Sequence, residues 1–109
     1  MFKWEITAER NTAASPKDIW NIWKDVSNWP QWDHDLEWSR IEGDFTLGTS
    51  GTLKPKGWFS SQFKITDLVL EQSHTETTYM PMTTLNFAHQ LEKIYDGKLK
   101  ITHKLTVQG

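Results

Sequence analysis

The chain has 109 residues, a formal net charge of −2 and no cysteine. That length suits one domain with one core, and the near-balanced charge offers no basic footprint for nucleic acid or anionic lipid. Without thiols there are no disulfides, thiol nucleophiles or cysteine-based zinc sites, and no stretch has the apolar run of a signal peptide or membrane span, so a cytoplasmic protein without membrane insertion is expected.

Phe2, Trp4 and Ile6 alternate with Lys3, Glu5 and Thr7, the period of a half-buried strand. Residues 8–14 read as a polar connection. Ser15, Pro16 and Asp18 then form a helix start, with a capping hydroxyl, a proline in the first turn and an acid three residues after the cap. Ile19, Ile22, Trp23 and Val26 follow at i, i+3, i+4 and i+7, one apolar stripe at helical period. The polar residues Asp25, Ser27 and Asn28 interrupt it, and Ser27 or Asn28 can cap a second short helix through Trp32. Five of the seven tryptophans lie between Ser15 and Trp38. Trp4 and Trp23 are expected in the core, whereas Trp20, beside the stripe, and Trp58, after a turn, are expected to be exposed or at a contact surface.

Leu36 to Ile41 alternates again and should end at Gly43, with Leu36 and Trp38 on one face. A turn through Gly48 leads to a short strand over residues 49–54, closed by Pro55-Lys56-Gly57. Phe59, Ser61, Phe63 and Ile65 share one face of a fourth strand reaching about Leu70. Ser73 to Met80 is a threonine-rich strand whose inward face the pattern leaves unassigned. Leu85, Phe87, His89 and Leu91 form one face of the sixth strand; Leu99, Ile101, His103, Leu105 and Val107 form one face of the seventh. Hairpin-length connections throughout argue an antiparallel α+β sheet.

Asp96-Gly97 marks the last hairpin. A two-residue loop would set the apolar face of one strand against the lysines of the other. The three-residue loop Tyr95-Asp96-Gly97, with Gly97 as bulge residue, matches the faces and sets His89 opposite His103, Cβ atoms about 5 Å apart. Two imidazoles on an apolar concave face can anchor a ligand carbonyl, shuttle a proton, or simply satisfy one another. Asp33-His34-Asp35 reads as a solvated acidic turn, since adjacent residues of an extended chain point to opposite sides. No metal-ligand spacing is present, so neither metal nor cofactor is expected.

The strings SPKDIWNIWKDVSNWPQWD, GDFTLGTSGTLKPKG, LNFAHQLE and ITHKLTVQG resemble the polyketide-cyclase/dehydratase branch of the START-like (SRPBCC) superfamily, kin of the birch-pollen allergens. The resemblance spans nearly the whole chain, residues 1–109, as one domain. It implies a helix-grip fold: a curved seven-stranded antiparallel sheet, two short helices between strands 1 and 2, and a long C-terminal helix that would begin just after Gly109. This chain is therefore expected to be truncated relative to the family. The resemblance also implies a cavity for an apolar ligand, with Trp32, Leu36, Trp38, Leu53, Phe59, Phe63, Leu85, Phe87, His89, His103 and Leu105 as candidate lining.

The leading expectation is a carrier or binding domain for a small hydrophobic, lipid- or polyketide-like ligand, without catalysis. A cyclase or dehydratase using His89 and His103 as acid and base is the alternative, and a protein-interaction module using an uncovered concave face is another. An uncovered face rich in apolar side chains further implies a homo-oligomer, most simply a dimer.

Overall fold

The computed structural model describes residues 2–109. Strand β1 (Lys3–Thr12) leads into helix α1 (Pro16–Lys24) and a 3₁₀ helix (Val26–Gln31). Six strands follow: β2 (Leu36–Ile41), β3 (Ser50–Pro55), β4 (Ser61–Val69), β5 (Ser73–Met80), β6 (Thr83–Lys93) and β7 (Leu99–Gln108). All pair antiparallel in one sheet, in the order β1-β7-β6-β5-β4-β3-β2. No helix among the described residues is long and apolar enough to cross a membrane.

Local chemistry sets the helical pair. Ser15 Oγ accepts the Asp18 amide at 3.1 Å, a cap that satisfies one of the free donors of the first turn. The 3₁₀ helix starts at Val26 with Asp25 as its flanking residue and no side-chain cap; Asp25 Oδ2 instead accepts from Asn28 Nδ2 at 2.6 Å. Trp29 Nε1 donates to the Trp23 carbonyl at 2.8 Å, which locks the angle between the two helices.

β1 runs through Thr12, five residues beyond the alternation of Phe2 to Thr7, because its partner β7 offers a continuous ladder from Lys3↔Gln108 to Thr12↔Leu99. Ala8 and Arg10 thereby extend the concave-face row of Trp4 and Ile6. Two bulges re-phase other strands. Glu37 has no partner between Leu36↔Pro55 and Trp38↔Lys54, so Ser39 takes the inner position and Trp38 turns to the convex face, where the Arg40 guanidinium sits 5.4 Å from its ring. Thr66 is the extra residue in β4, which keeps Phe63, Ile65 and Leu68 inside.

The core lies where the helices cover the sheet. One cluster joins Val26, Trp29, Leu36, Phe63 and Ile65; the other joins Ile19, Trp20, Trp23 and Leu99, with Phe45 and Leu68 packed against both. Trp20 is buried, contrary to the expectation of exposure, because the loop between β2 and β3 brings Phe45 edge-on to its ring at 5.7 Å. Trp4 is half exposed rather than buried, because the helices do not reach the β1 end of the concave face.

Candidate functional site

The last hairpin has the odd loop that face-matching requires. Ile94 N donates to Lys98 O at 3.0 Å, Asp96 and Gly97 have φ of 59° and 67°, and His89 pairs directly with His103. β5 supplies what the sequence pattern left open. His74 pairs with His89, so His74 and Glu76 share its inward face. Three adjacent strands thus carry a row of imidazoles, His74, His89 and His103, with one carboxyl group beside them.

The row is graded in depth. His74 and Glu76 are 1% and 2% exposed, His89 is nearly buried and His103 borders open space. His74 stacks on His89 with ring centroids 4.2 Å apart, and His89 meets His103 at 4.6 Å. Trp23 closes over all three at 4.6, 5.5 and 6.4 Å, while Trp20 and Phe45 stand edge-on to His74. His74 Nδ1 is hydrogen-bonded to Glu76 Oε2. His89 Nδ1 lies 3.7 Å from Glu76 Oε1 and has no hydrogen-bond partner, nor has the buried His74 Nε2.

Burial sets the charges. Loss of solvation holds His74 down to about 3, reinforced by His103, and holds His89 down to about 3 against the opposing pull of Glu76. The same desolvation pushes the Glu76 carboxyl up to about 7, opposed by His89. His103 is also lowered, by burial first and by Arg10 next, with Asp33 acting against them. Burial thus disfavours the charged form of both partners in the His74–Glu76 contact.

Beside His103 a cleft of about 610 Å³ opens between α1, the turn after the 3₁₀ helix, and strands β1 and β7. Ile19, Ile22, Trp23, Trp32 and Ile101 form its apolar wall; Arg10, Asp33 and His34 add charge and hydrogen-bonding capacity. Of the side chains expected to line a cavity, only Trp32 and His103 do so in this cleft. Leu36 and Phe63 are in the closed core, Phe63 stacked on Trp29 at 5.6 Å, and Leu53 packs against the same cluster. Leu85, Phe87 and Leu105 are half-buried on the concave face, paired Leu85↔Val107 and Phe87↔Leu105, away from the cleft. His89 stands behind His103. Two side chains need correction: Trp38 faces the convex side because of the bulge at Glu37, and Phe59 is 79% exposed in the loop before β4, edge-on to Trp58.

Sequence reasoning missed His74 and Glu76 as site residues, and with them the cleft residues Arg10, Ile19, Ile22, Trp23 and Ile101. The signal for the first two was a histidine and an acid at i and i+2 of one strand, which share a face whichever way the strand turns.

No family model matches the sequence, and no curated protein matches it. Solved structures do share its fold. The chain matches Ara h 8.0201 with a TM-score of 0.72 at 17% identity, over 98% of this chain and 77% of that one. Norcoclaurine synthase from Thalictrum flavum matches with a TM-score of 0.75 at 17% identity, over 97% and 69%. A START superfamily protein from Mycobacterium smegmatis matches with a TM-score of 0.76 at 14% identity, over 95% and 76%. The chain has the START-like helix-grip fold, with the two short helices and no long helix on the concave face among its described residues.

Proposed function

We infer that this helix-grip domain binds a small, largely apolar ligand in the cleft beside His103. One observation carries the reading: a cleft of about 610 Å³ with a wall of Ile19, Ile22, Trp23, Trp32 and Ile101 and a few convergent polar groups. That combination of apolar area and sparse anchors is how small-molecule sites hold and orient a ligand. The structural neighbours include norcoclaurine synthase, which has been crystallised with dopamine and hydroxybenzaldehyde. Flat or acyl molecules with one hydrogen-bonding group suit this cleft, with His103 and Arg10 as the polar anchors.

Tryptophan fluorescence titrated with fatty acids, flavonoids and sterols tests it, because Trp23 and Trp32 form part of the wall. A saturable change with at least one class is expected. No response from any class in the folded protein overturns the carrier reading.

The enzyme reading has a narrower basis than the expected pair. His103 alone borders the cleft, with His89 against it as the next imidazole in line. Turnover of a bound polyketide-like substrate that His103→Phe abolishes without loss of affinity would favour it over a carrier.

Self-association is the reading for the open end of the sheet. Trp4 and Ile6 lie on the concave face, 51% and 54% exposed, in register with Val107 and Leu105. A contiguous apolar row of this kind suits burial against a second copy. Light scattering across a dilution series distinguishes a dimer from a monomer.

A further inference from the structure

The cleft accounts for His103 but not for the three polar side chains behind it. His74, Glu76 and His89 lie at or near full burial, His74 against Trp20, Trp23 and Phe45 and His89 against Trp23, where each unpaired polar atom carries a desolvation cost. Their pairing is incomplete. Both Nδ1 atoms face the same carboxylate, His74 Nδ1 bonded to Oε2 and His89 Nδ1 standing 3.7 Å from Oε1 without a partner. One donor atom from each of the three residues lies within 4.8 Å of the others.

We propose that His74, Glu76 and His89 form a binding site for one divalent transition-metal ion. The donor set decides the class. Two neutral imidazole nitrogens and one carboxylate suit zinc or ferrous iron, whereas calcium and magnesium require a shell of oxygens that this pocket lacks. Three protein donors leave a coordination position open. His103 borders the cleft and touches His89 ring to ring, so the cleft side is the route of entry. The aromatic walls supply the dry, shaped surroundings that hold metal ligands in place.

Coordination also requires a specific movement. The two imidazoles are within 10° of parallel, so their in-plane lone pairs run side by side rather than converge. Binding one ion through both nitrogens therefore requires the rings to turn about χ2 within the 4.8 Å that already separates the donor atoms, with the strand positions of residues 74, 76 and 89 unchanged. Trp23, which rests on both rings, senses that rotation. The inference goes beyond ligand binding in the cleft and does not depend on it.

The test is equilibrium dialysis of the chelator-treated full chain against Zn²⁺ and Co²⁺, with the visible spectrum of the Co²⁺ form. One ion per chain is expected, with the intense absorption of a low-coordinate site. Glu76→Gln, which keeps the shape, should weaken binding by more than about tenfold. His34→Ala, on the acidic turn, should leave it unchanged. Absence of stoichiometric binding, a weak spectrum like that of the hydrated ion, or loss with His34→Ala but not Glu76→Gln overturns the proposal. Should Glu76→Gln fail to fold by circular dichroism, the Co²⁺ spectrum of the unmutated chain decides by itself.

Discussion

The imidazoles of His74 and His89 lie face to face, centroids 4.2 Å apart and planes within 10° of parallel, on directly paired positions of β5 and β6. Two protonated rings repel each other in that geometry, and burial disfavours the charged form of each, so the folded state favours neutral rings. Their ordinary value is 6.5, and both are held down to about 3. As pH falls below 6.5 the unfolded chain gains two protons that the folded chain refuses. Glu76 acts in the opposite sense: raised from 4.5 to about 7, it retains its proton in the folded state and offsets one of them between pH 4.5 and 6.5. With chelator present, stability should therefore drop by about 2–3 kcal/mol between pH 6.5 and 4.5, and more steeply below that. From about pH 7 upward these groups contribute no further change. Urea unfolding at a series of pH values measures this, and a midpoint constant down to pH 4 contradicts the neutral cluster.

Gly51 and Phe63 are paired across β3 and β4 so closely that no side chain fits at 51. An added Cβ would stand 2.6 Å from the Arg40 carbonyl oxygen and against the Phe63 ring. The obstacle on one side is backbone, which cannot swing away. Gly51→Ala should cost about 1–3 kcal/mol of stability, read as a lowered urea midpoint with an unchanged slope. A neutral result would mean that β2 and β3 separate easily.

Ser39 occupies the inner position that the bulge at Glu37 took from Trp38. Its hydroxyl donates to the Val26 carbonyl at 2.6 Å and ties β2 to the start of the 3₁₀ helix. Ser39→Ala leaves that buried carbonyl short of a partner, at an expected cost of about 1–2 kcal/mol. Trp38→Ala, on the convex face, should cost less in spite of removing a far larger side chain. Thermal or urea unfolding of the two variants gives the order, and the reverse order would contradict the bulge.

Trp32 and Trp38 also separate the cleft from the convex face. Trp32 is 38% exposed and forms part of the cleft wall. Trp32→Ala should weaken apolar ligands by about tenfold, as the loss of an aromatic contact of about 1–1.5 kcal/mol requires, with little change in stability. Trp38→Ala should leave affinity as it was. Calorimetric titration with any ligand found by fluorescence reads both.

Local rules determined much of this protein from its sequence. The Ser15 cap, the stripe of Ile19, Trp23 and Val26, the strand faces of β6 and β7, and the loop Tyr95-Asp96-Gly97 all depend on residues a few positions apart. In β6 and β7 the apolar and charged sides contrast, so one register matches and the His89–His103 pair follows from it. β5 has no such contrast: His74, Glu76 and Thr78 alternate with Thr75, Thr77 and Tyr79, and either face could turn inward. Pairing with β6 made that choice, because His74 falls opposite His89 only in the observed register. The two bulges were equally invisible, since one extra residue reverses a strand's phase without altering its composition, and this put Trp38 outside and Ser39 inside. Burial of Trp20 required Phe45 from a loop 25 residues away. Alternation specifies which side chains share a face, and only the assembled sheet decides which face meets the helices and which donors end beside the one buried carboxyl group.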